Sequence, residues 1–212
     1  MNRILERMIQ EMQDELENNI LHFWLDKMQD YENGGFYGRI DCHMQIHPDA
    51  EKGAILNARI LWTFSAAYRV LQKTDYLKAA TRAKDYLIEH FIDKEYGGVY
   101  WSVDYKGNLL DTKKQFDAIA FTIYGLAEYV RATDDREALE YAMDLYDCIE
   151  GHAWESEHNG YIEACTREWG EIADMRLSEL DANYPKSQNT HLHIIEPYTN
   201  LLRCLKEMRA QE

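Results

Sequence analysis

The sequence predicts an all-α protein, an α/α toroid assembled from helical hairpins. A short Gly-aromatic turn occurs three times: Asn33-Gly34-Gly35-Phe36-Tyr37-Gly38, Tyr96-Gly97-Gly98-Val99-Tyr100-Trp101 and Asn159-Gly160-Tyr161-Ile162. Gly35, Gly98 and Gly160 are spaced by 63 and then 62 residues, and a fixed period of that size marks a repeated supersecondary unit. Each turn is flanked by stretches with apolar residues at helical spacing. Those stretches also alternate in character. The second, fourth and sixth are rich in apolar and small residues, so they read as an inner layer buried on most sides. The first, third and fifth carry charged faces and read as an outer layer. A ring of this type closes in its common form with six hairpins, and three are counted here.

Six helices are expected. The first covers about 1–26, where Ile4, Leu5, Met8, Ile9, Met12, Leu16, Ile20 and Phe23 recur at helical spacing. The second covers about 52–72. The third follows at about 75–92, with Thr74 as its expected N-cap. The fourth covers about 112–132, capped by Asp111 or Thr112, the fifth about 135–150, and the sixth about 189–209. The breaks between the second and third helices and between the fourth and fifth are very short. Those pairs are therefore antiparallel neighbours. The Gly-aromatic segments alternate in polarity and read as short β-hairpin-like loops, with Tyr105-Lys106-Gly107-Asn108 as a turn.

Composition narrows the function. The chain has 212 residues, 46% of them hydrophobic, and a formal net charge of −15. That length suits a single unit, 1–212. The acidity and the scattered basic residues argue against a nucleic-acid surface. No run approaches the roughly 20 apolar residues of a membrane span, and acids appear too early for a secretory signal. Cys42, Cys148, Cys165 and Cys204 are far apart and form no CxxC. They read as thiols of a reducing cytoplasm. Fifteen tyrosines and five tryptophans suit hairpin packing, and equally a sugar surface, where flat apolar rings stack on pyranose C–H faces.

The strongest local signal is Gln188 to Glu196 (QNTHLHIIE). On a helix, Asn189, His193 and Glu196 lie on one face and would line a ring centre with an amide, an imidazole and a carboxylate. The alternatives are an N-cap role for Asn189 and packing roles for the histidines. His191 is rotated roughly 200° from His193, so it is a separate candidate for sugar contact or a packing residue. A zinc site fits poorly, because His-x-His diverges on a helix and no third ligand follows at a familiar spacing. Arg59 is a permanent charge in an apolar helix, either paired between helices or put to work on an anionic intermediate. Trp62, one turn on, stacks on a sugar or fills core. Phe116 opens the fourth helix, near the end presented by the other inner helices, and Asp117 beside it suits the helix dipole. Asp41, Asp104 and Glu163 follow the three turns; they read as solvated acids, since nothing selects a glycosidase pair among 38.

At these residues a resemblance enters. Lys52 to Arg69 (KGAILNARILWTFSAAYR) resembles the arginine-bearing helix of the N-acylglucosamine 2-epimerase superfamily, particularly its cellobiose 2-epimerases. Asn189 to Glu196, Gly34 to Gly38 and Ala120 to Tyr129 are similar as well. The resemblance runs over nearly the whole chain. It implies the N-terminal half of an (α/α)6 barrel that inverts C2 of the reducing-end sugar through ring opening and a cis-enediolate, with no redox cofactor or essential metal. Carried over, Arg59 steadies the enediolate, while Asn189 and His193 contact the sugar at C1–C2. Phe116 falls near a position that is often tyrosine in the family. The implied barrel is about twice this long and has further histidines in its second half. The expectation is therefore a fragment, a natural half-barrel, or a homodimer that completes the ring.

Overall fold

The structure, a computed structural model, describes residues 3–209. Among them are the six expected helices. Helix α1 starts as Arg3–Asp14, runs through a π-helical stretch Glu15–Leu21 and ends as His22–Lys27. The others are α2 (Ala54–Leu71), α3 (Thr74–Tyr86, continued by a π turn Leu87–Phe91), α4 (Phe116–Thr133), α5 (Arg136–His152) and α6 (Gln188–Arg209). Seven short strands join them: β1 (Lys52–Gly53), β2 (Ser102–Val103), β3 (Leu109–Asp111), β4 (Lys114–Gln115), β5 (Trp154–Glu155), β6 (Gly160–Tyr161) and β7 (Ala164–Cys165). Strands β1, β2 and β3 form one antiparallel sheet; β4 pairs with β7 and β5 with β6.

Helices α2, α4 and α6 pack side by side as the inner layer, and α3 and α5 return outside them. Helix α4 lies between its two inner neighbours and is buried along most of its length, including Phe116, Ile119, Ile123, Leu126 and Val130. Each such side chain contributes about 1.5–3 kcal/mol on burial. Gly125 permits this approach, since a Cβ there would lie 2.7 Å from the Ala58 carbonyl oxygen of α2.

Several helix starts differ from the sequence reading. Lys52–Gly53 and Lys114–Gln115 are strand, not helix. The Phe116 N–H donates to the Glu163 carbonyl, so cross-chain pairing delays α4 beyond its expected cap at Asp111 or Thr112. Thr74 is the first residue of α3 rather than its cap. Asp135 caps α5, accepting from the Ala138 N–H at 3.0 Å. Asn189 lies inside α6, whose cap is Ser187; its Oγ accepts from the Thr190 N–H at 3.1 Å.

The Gly-aromatic turns share one construction. At the end of each outer helix an acid, Asp30, Asp93 or Glu155, accepts hydrogen bonds from the backbone N–H groups two and three residues on. Each acid also holds a lysine just before an inner helix. Lys52 reaches Asp30 at 2.8 Å and Lys114 reaches Asp93 at 2.8 Å, all four side chains being fully buried; Lys186 reaches Glu155. Burial works to raise Asp93, but hydrogen bonds from Arg167 and Lys114 outweigh it and hold the carboxyl well below the usual carboxylate range. Gly35 and Gly98 take left-handed backbone with φ of 61° and 74°. A side chain at Gly35 would meet the Tyr86 ring at 2.7 Å, and one at Gly98 the Trp169 ring at 2.7 Å.

Among the described residues, the exposed large apolar side chains of the inner layer lie on its two edge helices, with Val70 on α2. Leu192, Ile195 and Leu202 of α6 are exposed. The longest apolar stripe in solvent belongs to the outer helix α1: Ile4, Leu5, Met8, Ile9, Met12, Leu16 and Ile20.

Candidate active site

The three lysines give the inner helices a common register. Each stands two residues before the first residue of its helix, Ala54, Phe116 or Gln188. Counting from them, equivalent positions form tiers along the inner face. Ile55, Asp117 and Asn189 make the first tier. Arg59, Phe121 and His193 make the second, Trp62, Tyr124 and Glu196 the third. In the second and third tiers the alignment also brings side chains into contact. The Arg59 guanidinium lies 4.3 Å from the Phe121 ring centroid, and the His193 imidazole packs against the same ring, tilted by 42°, with centroids 4.6 Å apart. His193 Nδ1 is 2.8 Å from Glu196 Oε2. Trp62 packs on Tyr124 with centroids 5.2 Å apart.

The structure thus brings Arg59 and His193 together on either side of Phe121. Arg59 is exposed and its contact is this ring, not the inter-helix ion pair weighed from sequence. Asn189 is exposed one turn before His193. It lines a cleft of about 400 Å³ with Glu163, Arg176, Tyr184 and Ser187. A larger groove, about 740 Å³, lies along the apolar stripe of α1 (Met8, Met12, Leu16, Ile20), away from these polar tiers. Trp62 is half-buried, and its indole Nε1 is buried without a partner among the described residues.

Phe116 and His191 stand outside this cluster. Phe116 is fully buried with its ring stacked on Trp169 at 6.1 Å, so no face of it is open to a ligand. His191 uses both ring nitrogens on backbone. Nε2 accepts from the Tyr161 N–H at 3.0 Å, which leaves Nδ1 as the donor to the Ser187 carbonyl at 2.6 Å. It pins the start of α6 to the third turn, the packing role weighed for it.

Three acids read as solvated have definite places. Asp41 and Asp104 cap their own turns through the N–H groups of His43 and Gln45, and of Lys106 and Asn108. Glu163 is buried, not solvated, accepting from the Ser187 N–H and from Thr190 Oγ1 at 2.6 Å at the N-terminus of α6. There the helix dipole favours an anion.

Phe121 and Tyr124 were not singled out for the site from sequence, and Asp117 was read only as an acid that suits the helix dipole. The lysine register was the signal that could have found them. Asp117 is 3% exposed, and its Oδ1 has no partner among the described residues. Burial raises its carboxyl strongly, His193 and Arg59 pull it down, and Glu163 and Glu196 push it up; it ends at about 6. Among the described residues, Glu155, Glu157 and His158 are the group with metal-compatible spacing. Glu155 there is already paired with Lys186 and two backbone N–H groups.

Comparison with known proteins places this geometry. The family described as N-acylglucosamine 2-epimerase (GlcNAc 2-epimerase) matches over residues 35–197. A cellobiose 2-epimerase of Bacteroides fragilis is 61% identical over 202 residues, 95% of this chain and 52% of that protein. One from Ruminococcus albus is 42% identical over 93% of this chain and 50% of its own length. The solved cellobiose 2-epimerase of Bacillus thermoamylovorans superposes with a TM-score of 0.90 at 46% identity, over 95% of this chain and 52% of that one. A D-mannose isomerase structure, at 22% identity and a TM-score of 0.76, shares the fold. The chain spans about half the length of the relatives it matches.

Proposed function

The chain belongs to the N-acylglucosamine 2-epimerase family, and from that premise we propose that it carries one half of a sugar 2-epimerase site. The reaction inverts C2 of the reducing-end sugar of a disaccharide such as cellobiose. The observation that supports this most is the Arg59–Phe121–His193 stack on facing inner helices, with Asn189 one turn away. Loss of the C2 proton from an open-chain sugar leaves an enediolate. A guanidinium fixed on Phe121 is a permanent cation for that charge, and its worth rises where water is excluded. His193, with Glu196 on Nδ1 at 2.8 Å, presents Nε2 as its free nitrogen. Its imidazole can take up or give a proton at that nitrogen. Asn189 orients the sugar at C1–C2.

Inversion needs protons on opposite faces of C2, and two groups are the natural solution. We take residues 1–212 as the N-terminal half of an (α/α)6 barrel whose other half supplies the second group. A second copy of this chain is one way to provide that half. The exposed apolar stripe of α1 and the edge of α6 (Leu192, Ile195, Leu202) favour such a covering. The compartment assigned is the reducing cytoplasm, in keeping with four free cysteines. A half-barrel that binds sugar without turning it over is the second reading, favoured by the single histidine in the second tier.

Proton NMR of cellobiose incubated with the chain in D2O tests this. Loss of the reducing-end H2 signal, with mannose-type signals appearing, is the expected result. Binding of cellobiose without exchange would favour the second reading, and free monosaccharide would indicate a glycosidase instead. Light scattering alongside gives the mass, a dimer being expected if the second copy closes the ring.

A further inference from the structure

We propose that Asp117 is a fourth polar contact of this sugar site, the counterpart in the second repeat of Asn189 in the third. The inference rests on the sugar reading above and adds a residue to it. Asp117 and Asn189 stand three residues beyond Lys114 and Lys186, each one turn before the second-tier residue of its own helix, Phe121 or His193. On a helix that spacing puts them on the same face as the residue they precede.

The Asp117 side chain is almost wholly buried, yet Oδ1 has no protein partner. Buried polar atoms are nearly always hydrogen-bonded, and one left open costs about 1–3 kcal/mol. An open acceptor kept in the first tier, beside the Arg59–Phe121–His193 stack, suits a sugar hydroxyl. The groups facing it come from every packed element: Arg59 from α2, His193 and Glu196 from α6, and Glu163 from the turn between β6 and β7. Burial raises its carboxyl most, Arg59 and His193 work against that, and Glu163 and Glu196 add to it. The carboxyl is pushed up to about 6 and can donate to a sugar hydroxyl when protonated and accept from one when ionised. Ile55, the first-tier residue of α2, offers no such atom. In the first tier the polar side chains therefore come from α4 and α6 alone.

The test uses the whole chain, labelled with 13C at aspartate carboxyls and titrated with cellobiose. The Asp117 resonance should titrate with a midpoint near 6 and move on sugar binding. In the His193→Gln protein its midpoint should rise further, because a cation that holds it down is gone. Asp117→Ala should weaken cellobiose binding about tenfold, as loss of a hydrogen bond to a charged group does, and Asp117→Asn, which keeps an acceptor but cannot titrate, should flatten the pH dependence of binding around 6. A wild-type midpoint near the ordinary carboxylate value of about 4 overturns the proposal. So does an Asp117 resonance unmoved by sugar that demonstrably binds; that result leaves the epimerase reading standing. Absence of any cellobiose binding to the wild type overturns both. If Asp117→Asn does not fold, the wild-type resonance alone decides.

Discussion

The two ends of the inner helices follow the same register and treat charge in opposite ways. Fourteen and seventeen residues beyond the lysines, near the C-terminal ends, stand Glu128 and Asn200, then Arg69, Arg131 and Arg203. Here Glu128, Arg69, Arg131 and Asn200 close on one another, while Arg203 is exposed. Glu128, 1% exposed, accepts from Arg69 Nε at 2.8 Å, Arg131 Nη1 at 3.0 Å and Asn200 Nδ2 at 3.2 Å, and Arg131 is clamped again by Glu207. Just inside the buried lysine–carboxylate pairs at the N-terminal ends, several polar atoms instead stay open. Asn57 Oδ1, Trp62 Nε1, Gln115 Oε1 and Asp117 Oδ1 are buried without a partner among the described residues. Arg59 rests on a ring instead of a carboxylate. Within one fold, a satisfied network rigidifies a layer, while unsatisfied groups on the same helices mark where another molecule's hydrogen bonds belong.

Substitutions can break or sharpen that contrast. The largest loss is expected at the closed end. Glu128→Ala removes the shared partner of Arg69 and Arg131 and should cost about 3–5 kcal/mol, seen as a lower urea midpoint, with cellobiose binding unaffected. A smaller effect of opposite sign is expected at the open end. Asp117, raised to about 6, stabilises the fold only while protonated. That contribution is complete below the unfolded carboxylate value of about 4 and lost as pH rises past 6. Asp117→Asn should therefore raise unfolding free energy by roughly 3 kcal/mol at pH 7, the equivalent of about a hundredfold difference in proton affinity between folded and unfolded chain. The gap between the two proteins should close as pH falls toward 4. A loss of stability at pH 7 would mean that Asp117 belongs with the closed end.

Smaller effects separate the two histidines. His191→Ala leaves the Tyr161 N–H and the Ser187 carbonyl without their partner. It should cost about 1–2 kcal/mol by thermal or urea unfolding, with C2 exchange retained wherever the wild type shows it. His193→Ala should change stability by no more than about 0.5 kcal/mol, as for a half-exposed site, and should abolish exchange. Equal exchange in the wild type and His193→Ala would remove His193 from the chemistry.

Helical periodicity and turn chemistry are written along a single stretch of chain. The six helices, the two layers and the three turns were accordingly legible without a structure. So was the face shared by Asn189, His193 and Glu196, because one helix carries all three. What failed at sequence level depended on partners far away. The start of α4 is set by pairing of Lys114–Gln115 with Ala164–Cys165, some fifty residues on, and a local cap signal cannot anticipate that. Phe121 gave no sign of lying between Arg59 and His193, because three separate helices make that contact. Glu163 read as a solvated acid because burial is a property of the packed chain.

The hidden register shows the same limit. Measured on the glycines, the repeat is even, at 63 and 62 residues. Measured from acid to lysine it is not. Asp30 to Lys52 and Asp93 to Lys114 span similar loops, whereas Glu155 to Lys186 contains about ten more residues. That insertion throws the third inner helix out of step with the first two, so alignment on the turns misses the tiers. The sequence by itself determined the helices, their order and the layer each would join, since apolar spacing acts within one element. Only the tertiary structure decided which polar groups would meet and which would be left open, since that depends on the register between helices, fixed by the buried lysine–carboxylate pairs and the packing around α4.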